Sequence, residues 1–178
     1  MCDQQNDGKS PQVFTTHLAD GNLVSKGDVR MHVCGDLDEL NAHLGYLCAV
    51  VRKQHAAVCE TLLTQLWEVQ RDLFCIGAKV AGCESVTAAC VAEKAEHLAA
   101  WTAHLQQEGV RFAGFILPGG SIAAAQTHIC RAVCRRAERC VVSMGDECAA
   151  KYLNELSKYL FHLALYMNRI CEINEINL

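Results

Sequence analysis

Residues 131–139 read Arg131-Ala132-Val133-Cys134-Arg135-Arg136-Ala137-Glu138-Arg139, four arginines and a glutamate with neither proline nor glycine among them. At helical spacing Arg131, Arg135 and Arg139 stand at i, i+4 and i+8 and share one face. Glu138 follows Arg135 by three positions, within pairing reach on a helix. Guanidinium forks held in a row by a rigid element suit a polyanion such as a nucleoside triphosphate, because each fork engages phosphate oxygens in bidentate fashion. The same spacing suits a solvated charged face or a salt-bridge network between helices. A second signal precedes it in Phe115-Ile116-Leu117-Pro118-Gly119-Gly120-Ser121. The proline stops any preceding element, the glycines permit backbone angles closed to other residues, and Ser121 is placed to cap the helix that carries the arginines.

The elements that must hold these residues are helices. Leu37, Leu40, Leu44, Leu47 and Val51 follow a 3-4-3-4 rhythm, with Asp36 placed as an N-cap. The rhythm recurs in Leu62, Leu66, Val69, Leu73, Ile76 and Val80, ending at Gly82, and in Leu153, Leu156, Leu160, Leu163, Met167 and Ile170. A weaker helix is expected over about 88–107, stopping at Gly109. The arginine helix is expected over about 121–143, with a break at Gly145-Asp146. Residues 12–35 read as irregular, with Gly21, Gly27 and Gly35 as breakers, and residues 1–11 as a disordered polar tail. Stripes of near-heptad spacing mean helices packed nearly parallel. The expected fold is therefore all-α, a five-helix up-down bundle without significant sheet, in one domain over 12–178.

Composition narrows the function classes. A chain of 178 residues with 51% hydrophobic and 20% charged residues can bury a substantial core. Its net charge of -4 offers nucleic acid no general attraction. No apolar run approaches the roughly 18 residues of a membrane span, and the polar N-terminus lacks a signal core, so a cytoplasmic location is expected. The twelve cysteines include no CxxC and lie within apolar helical patterns, as reduced thiols acting as small hydrophobes would. Cys130 and Cys134 stand at i and i+4 near His128, but the missing fourth ligand argues against a soft-metal site, and none is expected.

Five segments in order resemble the PduO-type ATP:cob(I)alamin adenosyltransferases. They are Gly35-Asp36-Leu37-Asp38-Glu39-Leu40-Asn41 (the DELN helix start), QRDLFCIGA at 70–78, the FxLPGGS loop at 115–121, RxxxRRAER at 131–139, and YLNELSKYLFHLALYMN at 152–168. The resemblance covers roughly residues 24–170. It implies a homotrimer of five-helix bundles with active sites between subunits. It also implies transfer of the 5'-deoxyadenosyl group of ATP to the cobalt of cob(I)alamin, with release of triphosphate and with Mg2+ as the triphosphate's partner. On the family pattern Phe115 and Arg135 take catalytic positions, Phe115 filling the lower corrinoid face so that no axial ligand stabilises the oxidised metal. Asp38 and Arg131 match a pair that joins neighbouring subunits and orders the corrinoid pocket. Arg135, Glu138, Arg139 and Asn154 match ATP-binding positions, Lys26 matches a phosphate-binding lysine, and Thr15 and Thr16 keep the start of the nucleotide loop.

The chain also departs from that pattern. The family's TKTGDxGxT strip corresponds here to the segment 13–22, which lacks the GDxGxT part and reads several residues shorter. His32 replaces a glutamate, Glu155 an arginine, Lys158 an aspartate and Leu165 an arginine. The corrinoid half is better kept than the ATP half. Two readings follow: a divergent active adenosyltransferase, or a catalytically inactive relative that binds a corrinoid, another tetrapyrrole or a nucleotide as carrier, sensor or assembly partner.

Overall fold

The computed structural model describes residues 14–54, 59–108 and 114–178. The expected tail 1–11 and the helix stop at Gly109 lie outside the described residues. The chain opens with a hairpin of β1 (Thr15–His17) and β2 (Leu23–Ser25), in which Thr15 faces Ser25, Thr16 faces Val24 and His17 faces Leu23. Five helices follow: α1 (Val29–Gln54), α2 (Cys59–Val80), α3 (Ala88–Gln107), α4 (Ile122–Met144) and α5 (Glu147–Ile170). The five-helix expectation holds.

Residues 12–35 were expected to be irregular, and this is corrected twice. The hairpin is the first correction, closed by a turn in which Asp20 Oδ1 accepts the Asn22 N–H at 2.9 Å and Gly21 adopts φ +82°. The second is the start of α1 at Val29, which leaves Asp36 inside the helix rather than at its cap. Asp28 takes that position: its Oδ1 accepts the Arg30 N–H at 2.9 Å and its carbonyl the Met31 N–H at 2.9 Å. Gly35 costs about 1 kcal/mol relative to alanine within a helix. Full burial of Val33 and Leu37 on either side outweighs that cost, at roughly 1.5–3 kcal/mol each.

The leucine stripes of α1, α2 and α5 form the core, and every member is buried except the partly covered Ile170. The helices neighbour one another in the order α2–α1–α4–α5–α3, and a slight α3–α2 contact closes the ring. The α4–α5 corner is set by local chemistry. Gly145 ends α4 in the left-handed region at φ +76°, and Asp146 caps α5 by accepting the Ala149 N–H at 3.1 Å. Asp146 also pairs with Lys79, tying this corner to the end of α2. Within the bundle, Asp72 is buried but satisfied by Lys94 and by the Tyr152 hydroxyl, which donates at 3.2 Å.

Candidate active site

Helix α4 sorts its arginines by direction. Arg136 turns toward α1, where its Nε donates to Asp36 at 2.8 Å and its Nη2 to Glu39. For this residue the salt-bridge reading of the segment is the right one. Arg135 and Arg139 are exposed, and Arg139 donates to the Arg135 carbonyl at 2.9 Å. Although the spacing puts Glu138 within reach of Arg135, among the described residues neither enters an ion pair, and Glu138 is half-buried with its carboxylate uncommitted. Arg131 is half-buried, its Nε shielded from solvent without a partner. Burial, and then the charge of Arg135, pull its pKa down. A desolvated guanidinium without an anion is costly. Among the described residues, then, Arg131, Arg135 and Glu138 enter no ion pair, and Arg139 bonds only a backbone carbonyl.

Asn154 lies half-buried on α5, the helix most closely packed against α4, and its Nδ2 reaches the neighbouring Glu155 at 3.4 Å. Phe115 is no core anchor: the residue is 81% exposed. Its backbone is nevertheless fixed, its carbonyl accepting the Leu178 N–H at 3.0 Å while Leu117 donates to the Ile176 carbonyl at 2.9 Å. Asp38 lies exposed in mid-helix, so a favourable first-turn dipole does not account for it. It borders an apolar hollow of about 290 Å³ with Leu37, Leu73 and Phe74. Asp38 and Arg131 form no pair within the described chain.

Thr15, Thr16 and Lys26 are brought together by the hairpin. Thr15 lies opposite Ser25, and the Lys26 N–H donates to the Phe14 carbonyl at 2.9 Å. The hairpin is anchored to the end of α2, where Ala19 donates to the Ala81 carbonyl at 3.0 Å. Among the described residues no hydrogen bond links Thr15, Thr16 or Lys26 to the arginine face of α4. The turn amides are also spent internally: Leu18 donates to Asn22, Gly21 to Leu18, and Asn22 to the Asp20 carboxylate. A glycine-rich strip would leave such amides free for phosphate oxygens.

Residues 13–167 match the profile of the family described as Cobalamin adenosyltransferase. The chain belongs to that family. A relative named cobalamin adenosyltransferase, from Cupriavidus metallidurans, is 43% identical over 162 residues, which is 87% of this chain and 83% of that one. The corrinoid adenosyltransferase of Citrobacter freundii is 31% identical over 84% of this chain and 87% of its own. A variant of the PduO-type ATP:corrinoid adenosyltransferase of Lactobacillus reuteri, solved with cobalamin and ATP, superposes with a TM-score of 0.82 at 25% identity, covering 94% of this chain and 95% of that one.

Within this cobalamin adenosyltransferase fold two further residues enter the site region. His128, one turn before Arg131 on α4, is only 4% exposed and both ring nitrogens lack partners. Burial, and then Arg131, push its pKa down to about 4, so the imidazole is neutral at physiological pH. In the sequence it stands out only by its place near Cys130 and Cys134 and three residues before the arginine row. Asn168, the last residue of the 152–168 segment, is the other, buried behind the Phe115 loop. The reversed charges on α5 compensate each other: Lys158 Nζ donates to Glu155 Oε1 at 2.8 Å, an i,i+3 pair. Cys130 and Cys134 are buried thiols, and the Cys134 Sγ donates to the Leu153 carbonyl at 3.2 Å. No helix of the described residues is long and apolar enough to cross a membrane.

Proposed function

We propose that the protein transfers the 5'-deoxyadenosyl group of ATP to the cobalt of a reduced corrinoid, releasing triphosphate. The observation that carries this reading is the division of the α4 arginines: Arg136 is paired with α1, while the exposed Arg135 and Arg139 and the half-buried Arg131 have no anion among the described residues. In the reaction the cobalt(I) lone pair forms the Co–C5' bond as the C5'–O bond breaks, and the triphosphate leaves with that electron pair. Charge builds on the leaving phosphates, where fixed guanidinium groups stabilise it most. Arg135 and Arg139 serve this role, with Glu138 and Asn154 orienting the nucleotide and Thr15, Thr16 and Lys26 meeting the phosphates from the hairpin. Phe115, exposed on a fixed backbone, closes the lower corrinoid face with an apolar ring that offers the metal no donor atom.

The assembly is a homotrimer with its sites between subunits. Two features support this: among the described residues Asp38 and Arg131 are complementary yet unpaired, and no hydrogen bond links the hairpin residues to the arginine face of α4. Mg2+ accompanies the triphosphate. A hard cation takes oxygen donors, and the uncommitted carboxylate of Glu138 suits it; when bound it would offset phosphate charge. The protein acts in the cytoplasm.

A second reading, a carrier or sensor that binds without turnover, has one observation in its favour: the internally bonded turn amides that cannot wrap a triphosphate. One assay separates the two. Protein, ATP, Mg2+ and chemically generated cob(I)alamin are mixed, and the spectrum is followed for conversion to adenosylcobalamin. Turnover is expected. Tight corrinoid binding without turnover would leave the carrier, and an ATP titration would then separate a lost nucleotide site from slow chemistry.

A further inference from the structure

We propose that Asn168, together with Glu175 and the strand-like segment 176–178, forms a seat that positions Phe115. The proposal deepens the adenosyltransferase reading and rests on it for the role of Phe115. The need for a seat follows from exposure: Phe115 is 81% exposed in the single chain, so its own chain gives it little side-chain packing to hold its direction. Its orientation must therefore be imposed through the backbone, and a loop alone holds a group loosely.

Asn168 supplies the first half of the hold. It is 1% exposed near the end of α5, and its two amide atoms are fully used. Oδ1 accepts the Ser121 N–H at 2.8 Å, while Nδ2 donates to the Gly119 carbonyl at 3.0 Å and to the Glu175 carboxylate at 3.1 Å. One side chain thus joins the loop, the start of α4 and the segment after α5. Gly120 leaves the room this requires: at φ +102°, a Cβ there would stand 2.1 Å from Asn168 Oδ1. The second half is the returning chain. Glu172, at φ +55°, reverses its direction, and the Ile173 N–H caps back on the Asn168 carbonyl at 2.9 Å. Ile116 then lies antiparallel to Asn177, with the Leu178 N–H on the Phe115 carbonyl and the Leu117 N–H on the Ile176 carbonyl. Phe115 is gripped at its own carbonyl and two residues later, and Glu175 links that grip to Asn168.

Asn168 and Glu175 are positioning residues, since nothing places them against the corrinoid itself. The seat should therefore tune corrinoid use and leave nucleotide use alone. Three variants test it: Glu175→Ala removes the acceptor, Glu175→Gln keeps an acceptor oxygen, and Asn168→Asp keeps Oδ1 while turning the donor into a carboxylate that faces Glu175. Glu175→Ala is expected to raise the KM for the corrinoid about three- to tenfold, the range for one partly exposed charge-assisted hydrogen bond. The KM for ATP should not move, and Glu175→Gln should recover most of the loss. Hydrogen exchange at 115–117 and 176–178 should quicken in Glu175→Ala and, if it folds, more so in Asn168→Asp. Unchanged corrinoid KM with unchanged exchange, or both KM values rising together, would overturn the seat. Absence of turnover in the unmodified protein would remove the adenosyltransferase reading; the seat is then judged by exchange alone, and unchanged exchange at 115–117 in Glu175→Ala removes it.

Discussion

Arg135 and Arg136 are neighbours in the chain and face different chemistry, because one step along a helix turns the side chain by about 100°. Arg136 meets two carboxylates of α1; among the described residues Arg135 meets none. Replacing each with alanine should separate the roles. Arg135→Ala is expected to lower kcat/KM for ATP about ten- to hundredfold, the loss of a charge-assisted phosphate contact, with the folded state little changed. Arg136→Ala should leave the KM for ATP unmoved and cost about 1 kcal/mol of stability, read from urea denaturation. His128 gives a pH signature. Burial and Arg131 hold its folded pKa near 4, below the ordinary 6.5. The unfolded chain therefore takes up this proton first, and stability should fall as pH drops from about 6.5 toward 4 and level off below. His128→Gln should flatten that part of a Tm-against-pH curve; an identical slope in both proteins would show that other groups set it.

At the scale of elements, the helices were legible and their entry was not. The 3-4-3-4 stripes of α2 and α5 located their buried faces because a helix shows its burial at fixed intervals. Ser121 was readable as the α4 cap for a similar reason, its partner Ala124 lying three residues on. The start of α1 was misplaced because Gly35 reads locally as a breaker, while the burial of Val33 that carries the helix through it depends on α1's neighbours. The hairpin was missed because strands of three residues are too short for a period to show, and Thr15–Ser25 pairing is a backbone interaction. The α4–α5 corner offers a test at this scale. Asp146→Ala loses both the cap and the Lys79 pair, whereas Asp146→Asn keeps the cap. The alanine variant should lose roughly 1–3 kcal/mol and the asparagine variant about half of that, measured by thermal unfolding. Equal losses would place the whole effect in the ion pair.

At the scale of the whole molecule, two charged residues of the proposed site have no partner among the described residues. Arg131 is partly desolvated without an anion, and Asp38 is an exposed carboxylate beside an apolar hollow. A charge swap tests their meeting across subunits. If the proposed trimer forms through this pair, Asp38→Arg and Arg131→Asp should each shift it toward monomer in light scattering and weaken corrinoid binding. The double variant should recover part of both. No recovery, or trimers throughout, would refute the cross-subunit pair.

The bundle, its buried stripes and the residue types at the candidate site were legible from the chain's spacing alone. These depend on local spacing, and five motifs in order carried the family. How those residues are committed emerged from the folded chain. It spent Arg136 on α1, left Arg131 and Asp38 unmatched, closed the turn amides of the hairpin on themselves, and tied the Phe115 loop to Asn168. The physical reason is reach. Periodicity records which face of an element is buried, but a hydrogen bond between residues 47 positions apart, such as Ser121 to Asn168, leaves no local trace until the chain has folded.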